Sequence, residues 1–187
     1  MRIIAGIARN TVLKVPPGLE VRPTLARSRK SLFDSLGDFT GSNVLDLFAG
    51  SGALALEAAS RGAAVITMVE LQPSHLQIIS ENLERVRKAG VQCKANLLNC
   101  NALNPQNYCH SCGQPDLILA DPPYAHSAEF FTNLMSNRLF RDYFAGARLV
   151  WELPDTPGTV GVFMESLNSA EITIRKFGGI SFLLGRV

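Results

Sequence analysis

The chain has 187 residues, 47% of them hydrophobic and 18% charged. That is the length of one domain with enough apolar material for a sizeable core, which excludes a disordered chain. No apolar run approaches the ~18–20 residues that span a bilayer, and four cysteines are too few for a disulfide scaffold. Met1–Ala5 is too short for a signal-peptide apolar region, so a reducing, cytoplasmic setting without membrane contact is expected. The net charge of +2 is unevenly spread. Residues 1–30 carry seven basic side chains against one acid, and the remaining chain carries eleven against fifteen. A basic arm on a mildly acidic body suits a polyanionic partner; a solubilising terminal segment is the plainer alternative.

In chain order, residues 1–24 alternate loosely around Asn10-Thr11, which predicts a β-hairpin, closed off by Pro16-Pro17-Gly18. Leu25, Leu32, Phe33 and Leu36 fall on one helical face, with Thr24 as N-cap. Strand and helix then alternate: strand 43–48, helix 53–61, strand 64–69, helix 73–89, strand 91–98, strand 117–120, helix 127–138 and strand 147–152. The tail, 172–176 and 180–184 around Gly178-Gly179, reads as an antiparallel hairpin. This alternation predicts an α/β, Rossmann-like, mostly parallel sheet with helices on both faces. The arm is 1–24 and the body 25–187.

Residues 44–62, VLDLFAGSGALALEAASRG, run from strand through a glycine loop into a helix. Gly50 and Gly52 allow a tight turn and close approach of a ligand to the backbone, beyond the carboxyl ends of the strands. Glu70 ends the next strand, where a carboxylate can accept both hydroxyl protons of a ribose. Gly50, Gly52, Ala55 and Glu70 also fit a relaxed dinucleotide fingerprint. Asp46 argues against that ligand, because its charge would face a pyrophosphate. S-adenosylmethionine carries a sulfonium and an ammonium there instead. The plainer alternative is that Asp46 caps a neighbouring helix and the glycines only turn the chain.

Residues 117–124 read LILADPPY. Pro122 and Pro123 lack N–H groups and hold a rigid extended backbone, leaving their carbonyls as acceptors. Asp121 adds a carboxylate and Tyr124 an aromatic face. The set makes a slot for a flat ring with an exocyclic amine. Acceptors on the amine protons would aim its lone pair and stabilise the charge that grows on nitrogen during methylation.

DLFAGSG together with DPPY resembles the class I S-adenosylmethionine-dependent amino-methyltransferases. MRIIAGIARN, LKVPPG and RPTLARSRKSLFDSL narrow the likeness to the bacterial 16S ribosomal RNA (guanine-N2)-methyltransferases of the D type. The resemblance implies seven strands, one of them antiparallel. It implies cofactor contacts from Asp46, Phe48, Ala49, Gly50, Ser51, Gly52, Glu70, Leu71, Asn101 and Ala102. It implies a guanine slot from Asp121, Pro122, Pro123 and Tyr124, and phosphate contacts from Arg2, Arg9, Arg22, Arg27 and Arg29. The partner would be ribosomal RNA or an assembling small subunit, and the enzyme a monomer.

Asn101-Ala102 departs from the family's usual Asp-Ala; an uncharged carbonyl there implies modestly weaker cofactor affinity. Cys109-His110-Ser111-Cys112, with Cys93 and Cys100, has one C-x-x-C where a zinc site would have two, so a polar surface loop and no metal is expected. His75, His110 and His126 have no paired nucleophile and receive no catalytic role. Trp151-Glu152 ends a strand without a readable function. Two alternatives stand: adenine-N6 methylation of RNA or DNA, and a non-catalytic RNA-binding or assembly protein on the same fold.

Overall fold

The computed structural model describes residues 1–17, 23–154, 163 and 172–187, and the backbone alone of 23–25. Arg22 lies outside the described residues. Helix α1 spans Pro23–Leu36. It begins one residue before the expected cap, because proline's fixed φ and missing N–H suit a first helical position; Thr24 therefore falls inside the first turn. Then follow β1 (Asn43–Leu47), α2 (Ala53–Ser60), β2 (Val65–Glu70), α3 (Pro73–Lys88) and β3 (Lys94–Asn99). After them come α4 (Cys109–Cys112), β4 (Leu117–Ala120), α5 (Ser127–Ser136), α6 (Arg138–Phe144), β5 (Arg148–Leu153), β6 (Thr173–Phe177) and β7 (Ile180–Arg186).

The seven strands form one sheet in the order β3-β2-β1-β4-β5-β7-β6. β1 to β5 pair in parallel, and β7 runs antiparallel to both β5 and β6. This is the Rossmann-like fold of class I methyltransferases, with one reversed strand. The order of strand addition switches between the parallel neighbours β1 and β4, and their carboxyl ends open the crevice where such sheets bind ligands.

Strand residues alternate between two cores. Val44, Leu117, Leu119 and Val150 join the cluster under α1, α2 and α3. Leu45, Leu47, Ile118, Ala120, Leu149 and Trp151 join the cluster with Phe131, Phe140 and Phe144 from α5 and α6. Both faces are covered, which explains the nearly continuous apolar strands.

Three local expectations change. The helix at 127–138 is two helices, since Asn137 is extended (ψ 113°) and its side chain accepts the Phe140 N–H; a capping amide starts a helix rather than continuing one. β3 starts at Lys94, opposite Val65 where β2 starts, because a parallel partner sets its register. Cys109–Cys112 is a helical turn with both thiols buried beside Tyr108, not a polar surface loop. A free cysteine packs as a small apolar group. Among the described residues, no group of three His, Cys, Asp or Glu side chains is placed to hold a metal. No described helix is long and apolar enough to cross a membrane.

The N-terminal hairpin is short. It closes through one antiparallel bridge, Arg2 with Val12, and the bond from Ile3 N–H to Thr11 O (3.0 Å). It is packed on the body rather than projecting from it. Ile3, Ala8 and Leu13 are buried in the first core. Glu57, fully buried in α2, accepts the N–H groups of Ile4 (2.8 Å) and Ala5 (3.1 Å) and the Arg61 Nε–H (2.9 Å). Ile7 N–H caps the carbonyl of Ser60 (2.8 Å). Gly6 sits at φ +79°, and a Cβ there would lie 1.8 Å from the Ser60 carbonyl oxygen, so this approach requires glycine.

Candidate active site

A cavity of about 600 Å³ opens at the carboxyl ends of the parallel strands. The strand ends deliver four acids to it: Asp46 from β1, Glu70 from β2, Asp121 after β4 and Glu152 from β5. Phe48, Ala49, Gly50, Ser51, Leu71, Asn101, Ala102, Pro122, Pro123 and Tyr124 also line it. Of the residues expected around the cofactor and the ring slot, only Gly52 stays off the wall. It starts α2 at φ +76° instead, with Met68 Sδ 3.2 Å from where a Cβ would stand.

Asp46 is 1% exposed, and its Oδ2 accepts the Ala55 N–H in the first turn of α2 (3.1 Å). The helix-capping alternative is thus half true. Asp46 Oδ1 is buried without a hydrogen-bond partner. Burial, and then the charge of Glu70, push the Asp46 carboxyl up to about 7 against the pull of the Ala55 bond. An unsatisfied buried carboxylate oxygen is costly, and a cationic ligand would relieve it.

Glu70 is held from two sides. Its Oε2 accepts the Gly50 N–H (2.7 Å) and its Oε1 the Gln72 N–H (2.8 Å). These bonds lock the glycine loop to the end of β2 and leave one lone pair per oxygen for a ligand. His75 Nδ1 lies 3.4 Å from Glu70 Oε1, so this histidine joins the wall. Asn101 Oδ1 accepts the Leu103 N–H (2.9 Å), a local turn that fixes the side chain.

At the other end, Tyr124 is 54% exposed, and its hydroxyl donates to Glu152 Oε1 (2.6 Å). Pro123 spends its carbonyl on the His126 N–H (3.0 Å). The expectation of two free proline carbonyls is therefore corrected to one, that of Pro122, because a 3₁₀ turn starts at Tyr124. Asp121 opens on the cavity. Loss of solvent at the cavity floor, then the charges of Glu152 and Asp46, push its carboxyl above the usual range. Glu152 rises too through burial, opposed by the Tyr124 bond. Each of the two carboxyls therefore holds its proton to a higher pH than it would in water.

Two aromatic rings of the wall, Phe48 and Phe130, stack, and His126 stacks on Phe130 outside the lining. Phe48 lies 5.7 Å from Phe130 at 9°, and Phe130 lies 5.4 Å from His126 at 17°. Phe48 adopts φ +63°, uncommon for a bulky residue, which aims its ring from the glycine loop across to α5.

Glu152, Phe130 and His75 were not singled out from sequence as site residues. Glu152 follows Trp151, whose register partner is Ala120, just as Asp121 follows Ala120. The signal was an acid at a strand's carboxyl end, legible only once β5 is known to lie beside β4. Of the candidate phosphate-binding arginines, Arg2, Arg9 and Arg27 are exposed. Arg29 is turned inward, 8% exposed, and lines the cavity.

The family model described as conserved hypothetical protein 95 matches residues 1–155. The chain belongs to that family. Ribosomal RNA small subunit methyltransferase D of Escherichia coli (strain K12) is 39% identical over 126 residues, 66% of this chain and 60% of that protein's length. The chain thus aligns with under two thirds of that relative. A hypothetical protein of Thermus thermophilus, covered over 100% of this chain and 99% of its own, is 30% identical with a TM-score of 0.72. A methyltransferase from Pyrococcus furiosus, 19% identical over 92% of this chain and 86% of its own, shares the fold (TM-score 0.68).

Proposed function

We propose that this chain transfers a methyl group from S-adenosylmethionine to the exocyclic N2 amine of a guanine in small-subunit (16S) ribosomal RNA. The observation that carries the reading is one cavity joining an unpartnered buried carboxylate oxygen on Asp46 to the Asp121–Tyr124 slot. The similarity to ribosomal RNA small subunit methyltransferase D supports the substrate class.

The residues fit the cofactor. Asp46 Oδ1 would take its ammonium, Glu70 the ribose hydroxyls, and Leu71, Asn101 and Ala102 would line the adenine end. The bound cofactor supplies an electrophilic methyl group on a positively charged sulfur. The protein's part is placement and charge. Tyr124, fixed by Glu152, presents a ring face for the base to stack on. Asp121 and the Pro122 carbonyl accept from the amine and turn its lone pair toward the methyl carbon. Methylation would require the amine to shed a proton. An Asp121 raised above its usual range is a better acceptor for that proton than an ordinary carboxylate. Most of the acceleration then comes from alignment and from acceptors facing the growing positive charge.

Arg2, Arg9 and Arg27 would bind phosphates beside the cavity. The arm, residues 1–24, would serve as an RNA-contacting face of the same domain. The test is incubation with labelled cofactor and undermethylated ribosomal RNA or small subunits, followed by nucleoside analysis. Labelled N2-methylguanosine is expected. N6-methyladenosine would establish the adenine reading, and failure to bind cofactor would favour a non-catalytic RNA-binding role.

A further inference from the structure

Arg29 is the one arginine or lysine among the described residues that lines the cavity, whose wall also carries Asp46, Glu70, Asp121 and Glu152. It projects from α1 and is 8% exposed. No described carboxylate lies within 4 Å of it in an ion pair. Its Nη2 donates to the Arg2 carbonyl, and its Nη1 lies 2.9 Å from Met1 Sδ. Its Nε is buried without a partner. A thioether is a weak acceptor, so two of the guanidinium's donor nitrogens are poorly satisfied. The carboxylate whose charge reaches it, Glu57, spends its oxygens on Ile4, Ala5 and Arg61, so this buried guanidinium has no anion bonded to it.

Its position says which anion. Met1 Sδ also lies 4.0 Å from Ser51 Oγ, so the guanidinium stands over the Ser51 side of the glycine loop. Asp46, on the strand that leads into the same loop, has one unpartnered oxygen. A free cation and a free anionic oxygen thus face the same stretch of cavity. That pair is complementary to an α-amino acid zwitterion. Without the cation, four acids would repel a ligand carboxylate.

We infer that Arg29 binds the α-carboxylate of the cofactor's amino-acid end, while Asp46 takes its ammonium. The inference rests on the S-adenosylmethionine reading and moves Arg29 from the RNA-facing set to the cofactor site. A carboxylate suits the planar fork of a guanidinium, and its arrival would replace the weak Met1 thioether contact.

Calorimetry with two probes tests it: S-adenosylmethionine, and decarboxylated S-adenosylmethionine, which lacks only the carboxylate. The wild-type protein is expected to favour the carboxylate-bearing probe about 10- to 100-fold. In Arg29→Met that preference should collapse to within about threefold, with affinity for the decarboxylated probe nearly unchanged. Retained binding of that probe also reports that the variant is folded. Should Arg29→Met not fold, Arg29→Gln, which keeps a side-chain donor, carries the same expectation. Equal wild-type affinity for both probes, or an undiminished preference in the variants, overturns the inference. So does a variant that keeps the preference but shows a flatter salt dependence of RNA binding, which would return Arg29 to the phosphates. Wild-type protein that binds neither probe overturns the cofactor reading itself.

Discussion

The Tyr124 hydroxyl donates to Glu152 Oε1 at 2.6 Å, joining the loop after β4 to the end of β5. This bond gives Glu152 two separable tasks. It holds the exposed ring in place, and its charge helps keep the Asp121 carboxyl protonated. Glu152→Gln retains an acceptor for Tyr124 but removes the charge. Because Asp121 acts as a carboxylate, activity rises as pH climbs through its raised value. Loss of the Glu152 charge lowers that value, so the acidic limb of the kcat/KM profile should move to lower pH. Glu152→Ala also frees the ring, and the KM for RNA should rise about tenfold. An acidic limb that stays in place in Glu152→Gln would remove Glu152 from the electrostatics of the slot.

Asp121→Ala deletes the acceptor that aims the amine. Methyl transfer should fall by roughly two to four orders of magnitude, with cofactor affinity within about threefold of wild type. Single-turnover transfer and calorimetry on the same preparation give both numbers. Full activity in this variant would show that the slot does not work as argued.

How much of this was legible in the sequence follows from how far apart the interacting residues stand. The glycine loop and its helix were readable because their chemistry is contiguous: Asp46, Gly50, Gly52 and Ala55 lie within ten residues. Glu70 was readable because a βαβ unit fixes its distance from the loop. Glu152 was not, because its meaning depends on β5 lying next to β4, a fact of sheet order rather than local pattern. Arg29 looked like one more phosphate-binding residue. It sits on α1, and the docked arm covers it, with Met1 and Arg2 against its guanidinium. The arm's loose alternation did mark a hairpin, closed between Arg2 and Val12, but it could not show that Ile3, Ala8 and Leu13 would pack into the body's core.

Asp46 sets function against stability. Its folded-state value of about 7 exceeds its ordinary 3.8, so the folded chain keeps a proton that the unfolded chain has lost in between. The folded state is therefore favoured at low pH, and this contribution is lost as pH rises from about 4 to 7. Asp46→Asn keeps an acceptor for the Ala55 N–H and removes the charge. At pH 8 the ligand-free variant should be more stable by about 2–4 kcal/mol, and at pH 4 it should match wild type. Its cofactor affinity should fall at least tenfold at pH 8. Denaturant melts at both pH values and calorimetry check the three statements together.

Asn101 offers a gain. Its Oδ1 already serves the Leu103 N–H, so an aspartate there could keep the turn while adding charge toward an adenine amine. Asn101→Asp should tighten cofactor binding about three- to tenfold, and Asn101→Ala should weaken it by a similar factor. Unchanged affinity in both variants would show that Asn101 does not reach the cofactor.

The arm cannot be tested by deletion, since removing residues 1–17 would take Ile3, Ala8 and Leu13 out of the first core and Met1 and Val15 from the cavity wall. Asn82 adds to the coupling. It bonds both backbone groups of Lys14 (2.7 and 2.9 Å) and also the Ser51 carbonyl (2.9 Å), so the arm and the glycine loop share one buried amide. Charge and docking must therefore be separated by point variants. Arg2→Ala with Arg9→Ala removes two exposed charges. RNA affinity should fall, and the slope of log K against log salt should shrink by about 1.4, with the melting temperature unchanged. Gly6→Ala does the reverse. A methyl group at φ +79°, 1.8 Å from the Ser60 carbonyl, forces the arm off α2. It should cost about 2–4 kcal/mol of stability and loosen cofactor binding through Asn82, without altering the charge that RNA meets. If the double arginine variant keeps the wild-type salt slope, the arm's basic face does not contact RNA.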